Sequence, residues 1–195
     1  MPLKSLAEYE SLAEQAHGHL CAGQILGLRM ALCGMGLLGL EEPAGADRQR
    51  LVTFVEIDRC VTDAIAVVTG CRLGRRALKF RDFGKVAATF CDLRRDRAVR
   101  LAARESSRQR ADEMHPELLD RKQRQMRAYR ELPDGELFDI EWVRVNLAPE
   151  DLPGFKAPRA VCAECGEGIG FRREVVRDGR KVCRACAGER YYEPL

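Results

Sequence analysis

Apolar positions recur along the chain with two different periods, and the change from one to the other outlines the elements. Residues 3–16 place Leu3, Leu6, Tyr9, Leu12 and Ala13 or Ala16 on one side of a short amphipathic helix. A second helix is expected from about Cys21 to Leu38, nearly continuous in apolar side chains and interrupted by Gly23, Gly27 and Gly34. Each of these glycines costs a helix up to about 1 kcal/mol relative to alanine, so their expected use is close approach of another element. EEPAGADR (41–48) is a loop, RLVTFVEI (50–57) a strand rich in β-branched residues, and 58–71 a helix ended by Gly70.

Further along, 75–93 reads as a hairpin turning near Asp82–Gly84. Residues 94–114 and 116–132 read as two basic helices, the second carrying Glu117–Arg121 and Asp120–Arg124 as i, i+4 ion pairs. Residues 139–147 alternate like a returning strand, and PEDLPGFKAP (149–158) is a proline-rich linker. Helices interspersed with a mainly antiparallel sheet give an α+β core over 1–155, and 156–195 form a small separate module.

Composition narrows the class. With 46% apolar and 32% charged residues the chain can bury a core, so disorder is not expected. A net charge of +3 is too small to announce a nucleic-acid binder by itself, although residues 92–130 hold twelve Lys/Arg against seven Asp/Glu. That stretch reads as a solvated face. The run 25–40 is 16 residues long and contains Arg29, short of the ~20 apolar residues a membrane span needs, so it reads as a buried helix. The opening MPLKSLAEYE lacks the pattern of a signal peptide, so a cytoplasmic protein is expected. In a reducing compartment nine cysteines point to metal ligands, reactive thiols or core residues rather than disulfides.

Four of the nine carry the clearest signal. Cys162 and Cys165 are separated by two residues, as are Cys183 and Cys186, with a hairpin turning at Asp178–Gly179 between the pairs. Such spacing lets two tight turns close a tetrahedral Cys₄ site with no open position, so structural zinc is the expected cofactor. Arginines and Tyr191–Tyr192 near these cysteines raise a rival reading, a zinc-finger binding module for nucleic acid or a protein partner without catalysis. Acids interrupt the basic residues, and nucleic acid is not the expected partner.

The second candidate site is HGHLCAG (17–23). In extended backbone His17, His19 and Cys21 share a side; in a helix His17 and Cys21 do. A cysteine at the first turn of a helix has its thiolate stabilised by free backbone N–H groups, which makes Cys21 a candidate ligand or nucleophile. A further donor must come from elsewhere. Cys60, after a strand and with Asp63 one turn along, is the best candidate, and Cys71 in TGCRLG is another wall residue. Cys33 and Cys91 read as ordinary core thiols.

These same residues carry a family resemblance. HGHLCAGQILGLRMA and VEIDRCVTDAIAVVTGCRLGRRALKFRDFGKVAATF resemble the FmdE family, named for the E component of formylmethanofuran dehydrogenase. The likeness is close over residues 12–92 and looser to the end. It implies an α+β core, a carboxy-terminal treble-clef-type zinc finger and a homodimer. It also implies work beside a larger redox enzyme complex of one-carbon or molybdenum/tungsten metabolism. It places His17, His19, Cys21 and Cys60 in a core metal cluster, with Cys21 and Asp63 as candidate catalytic groups. Ala22 stands where many members carry proline, and Ala66 where many carry glutamine, an amide that would face the cleft.

Overall fold

The computed structural model describes residues 2–43 and 45–193. Its contacts divide the chain into two compact units, residues 1–146 and 147–195.

In the first unit, α1 (Leu6–His17) opens on a reciprocal cap. The Glu8 N–H donates to Ser5 Oγ at 3.3 Å and the Ser5 N–H to Glu8 Oε2 at 2.9 Å. It ends at Gly18, whose φ of 90° only glycine adopts freely. Next, α2 (Ala22–Leu38) runs through the core with Ile25, Leu28, Met30 and Met35 fully buried. Each such side chain contributes roughly 2 kcal/mol of apolar transfer. The expected use of the glycines is borne out at Gly27 and Gly34 but not at Gly23, where a Cβ would make only ordinary contacts. A Cβ at Gly27 would stand 2.5 Å from the Val61 carbonyl oxygen, and one at Gly34 would collide with the Phe90 ring.

β1 (Leu51–Val55) leads into α3 (Cys60–Thr69), which ends at left-handed Gly70 as anticipated. Then follow β2 (Leu78–Phe80), β3 (Ala87–Asp92), β4 (Arg97–Ala103), α4 (Ser106–Met114), α5 (Arg121–Glu131), the single turn α6 (Asp134–Leu137) and β5 (Phe138–Val143). The five strands lie in the order β2-β1-β3-β4-β5. Only β1–β2 is parallel; Phe54 faces Thr89, Phe90 faces Val99, and Leu101 faces Ile140 across the antiparallel ladders. Helix α2 packs on β3 and β4 and against α1, α3 and α5, and α4 packs on α5.

Three local expectations are corrected. Residues 75–93 are not a hairpin, because β1 lies between β2 and β3 and takes both as partners. The helix expected over 94–114 exists only from Ser106, because residues 97–103 are strand β4, paired on both edges. The ion pairs Glu117–Arg121 and Asp120–Arg124 do not form, because α5 begins after Asp120, whose carboxylate caps it by accepting from Lys122 N–H at 2.8 Å. Arg124 binds Asp112 instead at 2.9 Å, and Glu117 lies near Arg127 at 3.8 Å.

Two buried polar devices fasten this unit. Arg29, the one charge in the apolar run, donates to the carbonyl oxygens of Tyr129 (2.7 Å), Arg130 (3.0 Å) and Leu132 (2.8 Å) and to Asp134 (2.8 Å). It thereby satisfies carbonyls at the end of α5 that have no helical partner. Asp92, its side chain fully buried, receives Arg50 at 3.1 and 2.5 Å. Among the described residues no helix is long and apolar enough to cross a membrane, which agrees with α2 as a buried helix.

The second unit contains two short hairpins, β6 (Ala160–Val161) with β7 (Gly168–Ile169) and β8 (Val175–Arg177) with β9 (Arg180–Val182). The β8–β9 turn is Asp178–Gly179 as expected, with φ of 51° and 72°.

Candidate functional site

Both hairpins deliver cysteines to one point. Cys162 and Cys165 follow β6, Cys183 and Cys186 follow β9, and the four Sγ atoms lie within 4.8 Å of one another. Zinc–sulfur bonds of about 2.3 Å in a tetrahedron set sulfurs about 3.8 Å apart, and Cys165 and Cys183 stand at 3.9 Å. Backbone N–H groups already point at the sulfurs, Cys183 N–H to Cys162 Sγ at 3.2 Å and Cys186 N–H to Cys183 Sγ at 3.4 Å. The N–H groups of Cys165 and then Cys183 lower the Cys162 thiol to about 6, favouring the thiolate that a metal binds. Donor set and geometry fit a closed structural zinc.

The core candidates are gathered differently. Left-handed Gly18 turns the chain out of α1, and Cys21 becomes the N-cap of α2 in extended backbone. Fully buried Gln24 fixes this junction: its Oε1 accepts from Cys21 N–H at 3.2 Å and its Nε2 donates to the Ala13 carbonyl at 3.2 Å. Cys60 begins α3 beside it. A Cβ at Gly23 would lie 3.5 Å from Cys60 Cβ and 3.8 Å from Cys21 Sγ, ordinary contact distances, so the first turn of α2 lies directly beside both cysteines. Burial first, then the hydrogen bond with the Cys21 thiol, raises the Cys60 thiol above its ordinary value.

One turn along α3, Asp63 Oδ2 lies 2.9 Å from His17 Nδ1, a contact that orients the imidazole. The rings of His17 and His19 are 4.9 Å apart. The structure therefore assembles a thiol pair and a His–Asp pair. Among the described residues the only set of three or more ligating atoms within 4.8 Å is the Cys₄ group of the second unit. Cys60 and Arg59 line two hollows, one of about 500 Å³ with His17 and Asp63 and one of about 380 Å³ with Cys21.

Other sequence candidates fall elsewhere. Cys71 is no cleft residue: it is buried against β1, accepting from the Thr53 hydroxyl at 3.5 Å, and burial raises its thiol. Desolvation pushes Cys33 and Cys91 up to about 12, consistent with inert thiols. Ala66 packs against the apolar core and lines neither hollow. Gln24 escaped the sequence reading although a signal exists, since glutamine three residues after an N-cap is half of a reciprocal cap. Arg104 and Arg108 also escaped it, hidden among basic residues read as solvated.

A family model described as FmdE, molybdenum formylmethanofuran dehydrogenase operon, matches residues 16–139. This chain belongs to the FmdE family. The FmdE match begins just before His17 and takes in Cys21, Cys60, Asp63 and the helices α4, α5 and α6 after β4. A prokaryotic dksA/traR C4-type zinc-finger model matches residues 157–192, which contain the four clustered cysteines. A curated relative from Archaeoglobus fulgidus, described as a probable S-adenosyl-L-methionine-binding protein, is 31% identical over 210 residues. That alignment covers 97% of this chain and 55% of the relative, so the chain spans about half the length of that relative. The crystal structure of a tungsten formylmethanofuran dehydrogenase FmdE-like protein from Syntrophus aciditrophicus superimposes with a TM-score of 0.65. It is 19% identical, with 99% of this chain and 100% of that one covered, and has the same fold.

Proposed function

We propose that this FmdE-family protein is a metal- or redox-linked accessory protein of one-carbon or molybdenum/tungsten enzyme metabolism, working through Cys21 and Cys60. The carrying observation is the meeting of two thiols from the starts of two different helices, beside the first turn of α2. A thiolate pair with imidazole nearby is a donor set suited to zinc or another soft divalent ion. His19 and His17 supply further donors, and Asp63 holds His17 in orientation or accepts its proton. A metal bound there would supply Lewis acidity or hold a cofactor thiolate. The protein acts in the cytoplasm as a homodimer, beside a larger redox enzyme.

The test is metal content per chain on protein purified without air, for the parent and for Cys21→Ala, Cys60→Ala and Cys162→Ala. Two metals in the parent, with the core and tail variants each losing a different one, is the expected result. One metal, lost only in Cys162→Ala, rejects a resident core metal and leaves Cys21 and Cys60 to be tested as a reversible dithiol.

A further inference from the structure

The 380 Å³ hollow beside the two thiols lies wholly within residues 1–146 and has walls of two kinds. Leu26, Val61 and Val86 make part of it apolar, and three guanidinium groups, Arg59, Arg104 and Arg108, stand around the rest. The volume is many times the ~30 Å³ of one water molecule, enough for an organic ligand.

Charge on this wall is unbalanced. Glu105 is the only acid lining the hollow, and Arg108 approaches it at 3.6 Å. Arg104 is bound to Asp139, outside the lining, at 2.7 Å. Arg59 has no carboxylate partner among the described residues. Isolated arginines on a convex surface are ordinary. Here they come from two segments far apart in sequence and flank a single concavity that also holds two cysteines. Helices α2, α3 and α4 all begin at this wall, so the positive ends of three helix dipoles lie near the guanidinium groups.

We infer that this hollow binds a small organic anion, a carboxylate or phosphate monoester with an apolar body. Its charged end meets Arg59 and Arg108 and its body lies over Val61 and Val86, in the same hollow as the thiols. This deepens the proposed function by naming the ligand class and rests on it for purpose, but binding itself requires neither a metal nor a free thiol.

The full-length protein, labelled with ¹⁵N, is titrated with 4-phenylbutyrate, phenyl phosphate and the neutral 4-phenylbutanamide. At least one acid is expected to shift the Gly23, Val61 and Ser107 amides saturably, with the amide about tenfold weaker or more. Response to one acid alone identifies carboxylate or phosphate as the preferred group. Arg59→Gln and Arg108→Gln, both exposed and tolerant positions, should each weaken the acid about tenfold and leave the amide unchanged. Equal affinity for acid and amide overturns the inference, as does the absence of any shift with either acid up to about 20 mM. Cys21→Ser/Cys60→Ser should still bind the acid. That result alongside a failed metal assay would reject the thiol-site reading while the anion site stands.

Discussion

Gly27 and Val61 bring α2 and α3 to backbone contact, with space for no side chain between the Gly27 Cα and the Val61 carbonyl oxygen. Four residues earlier on the same stripe, Gly23 faces Cys60. The close crossing of two helices is therefore what places Cys21 and Cys60 together, and the packing of the core and the geometry of the candidate site have one cause.

Gly27→Ala should destabilise the protein by about 3 kcal/mol, because the new methyl must displace backbone as well as Ala64. Gly36→Ala, on the same helix with open space around it, should instead stabilise by up to about 1 kcal/mol. Urea denaturation of both variants measures the contrast, and equal effects would contradict the packing role.

Asp92 should set part of the acid sensitivity. Burial alone raises its carboxyl, but the Arg50 guanidinium and the backbone N–H groups of Arg94 and Arg95 outweigh burial and hold it below the ordinary value. A carboxyl depressed by folding binds fewer protons folded than unfolded. Its contribution is complete above about pH 4 and is lost as pH falls through the folded value. Asp92→Asn should cost about 3 kcal/mol at neutral pH, with the deficit shrinking below about pH 4. A deficit that stays constant across that range would remove Asp92 from the acid transition.

Arg29→Lys should loosen the end of α5. A single ammonium has three donors on one atom and cannot reach three carbonyls and the Asp134 carboxylate as the planar guanidinium does. A loss of about 2 kcal/mol is expected, with faster amide exchange concentrated in residues 128–132. Unchanged exchange there would show that the cap is dispensable.

Removing zinc with a chelator should release the two hairpins of residues 160–186 together, since few apolar side chains beyond Ile169 and Val182 are buried there. Metal binding of this kind supplies on the order of 10 kcal/mol, which that small core cannot replace. Hydrogen exchange should collapse in β6–β9 and persist in the central strands of the first unit. Retained protection in β8–β9 after complete metal loss would exclude the stabilising role.

The close-packing glycines of α2, the cap at Gly70 and the zinc knuckles were legible because each depends on spacing within one segment. Strand β4 was not. Its residues RAVRLAA favour a helix locally, and only pairing with β3 and β5, which lie on both sides of it, forces them straight. Strands β2 and β3 misled for a related reason: adjacency in sequence suggested a hairpin, whereas β1 was already available to both. Cys21 and Cys60 could be singled out as candidates from their places at two helix starts, but the arginine wall could not, because its members come together only when α3 and the β4–α4 turn meet.

Helices α4 and α5 depart from β4 and return to β5, its immediate neighbour in the sheet. Arg108, Gln125 and Tyr129 belong to that excursion, whereas both thiols sit on the α1–α3 frame. Part of the wall of the hollow is thus carried by a stretch of chain separable from the one that holds the sulfurs, while Arg59 stays with them. A homologue could exchange the excursion, keep its sheet intact, and present the same two sulfurs to a different molecule.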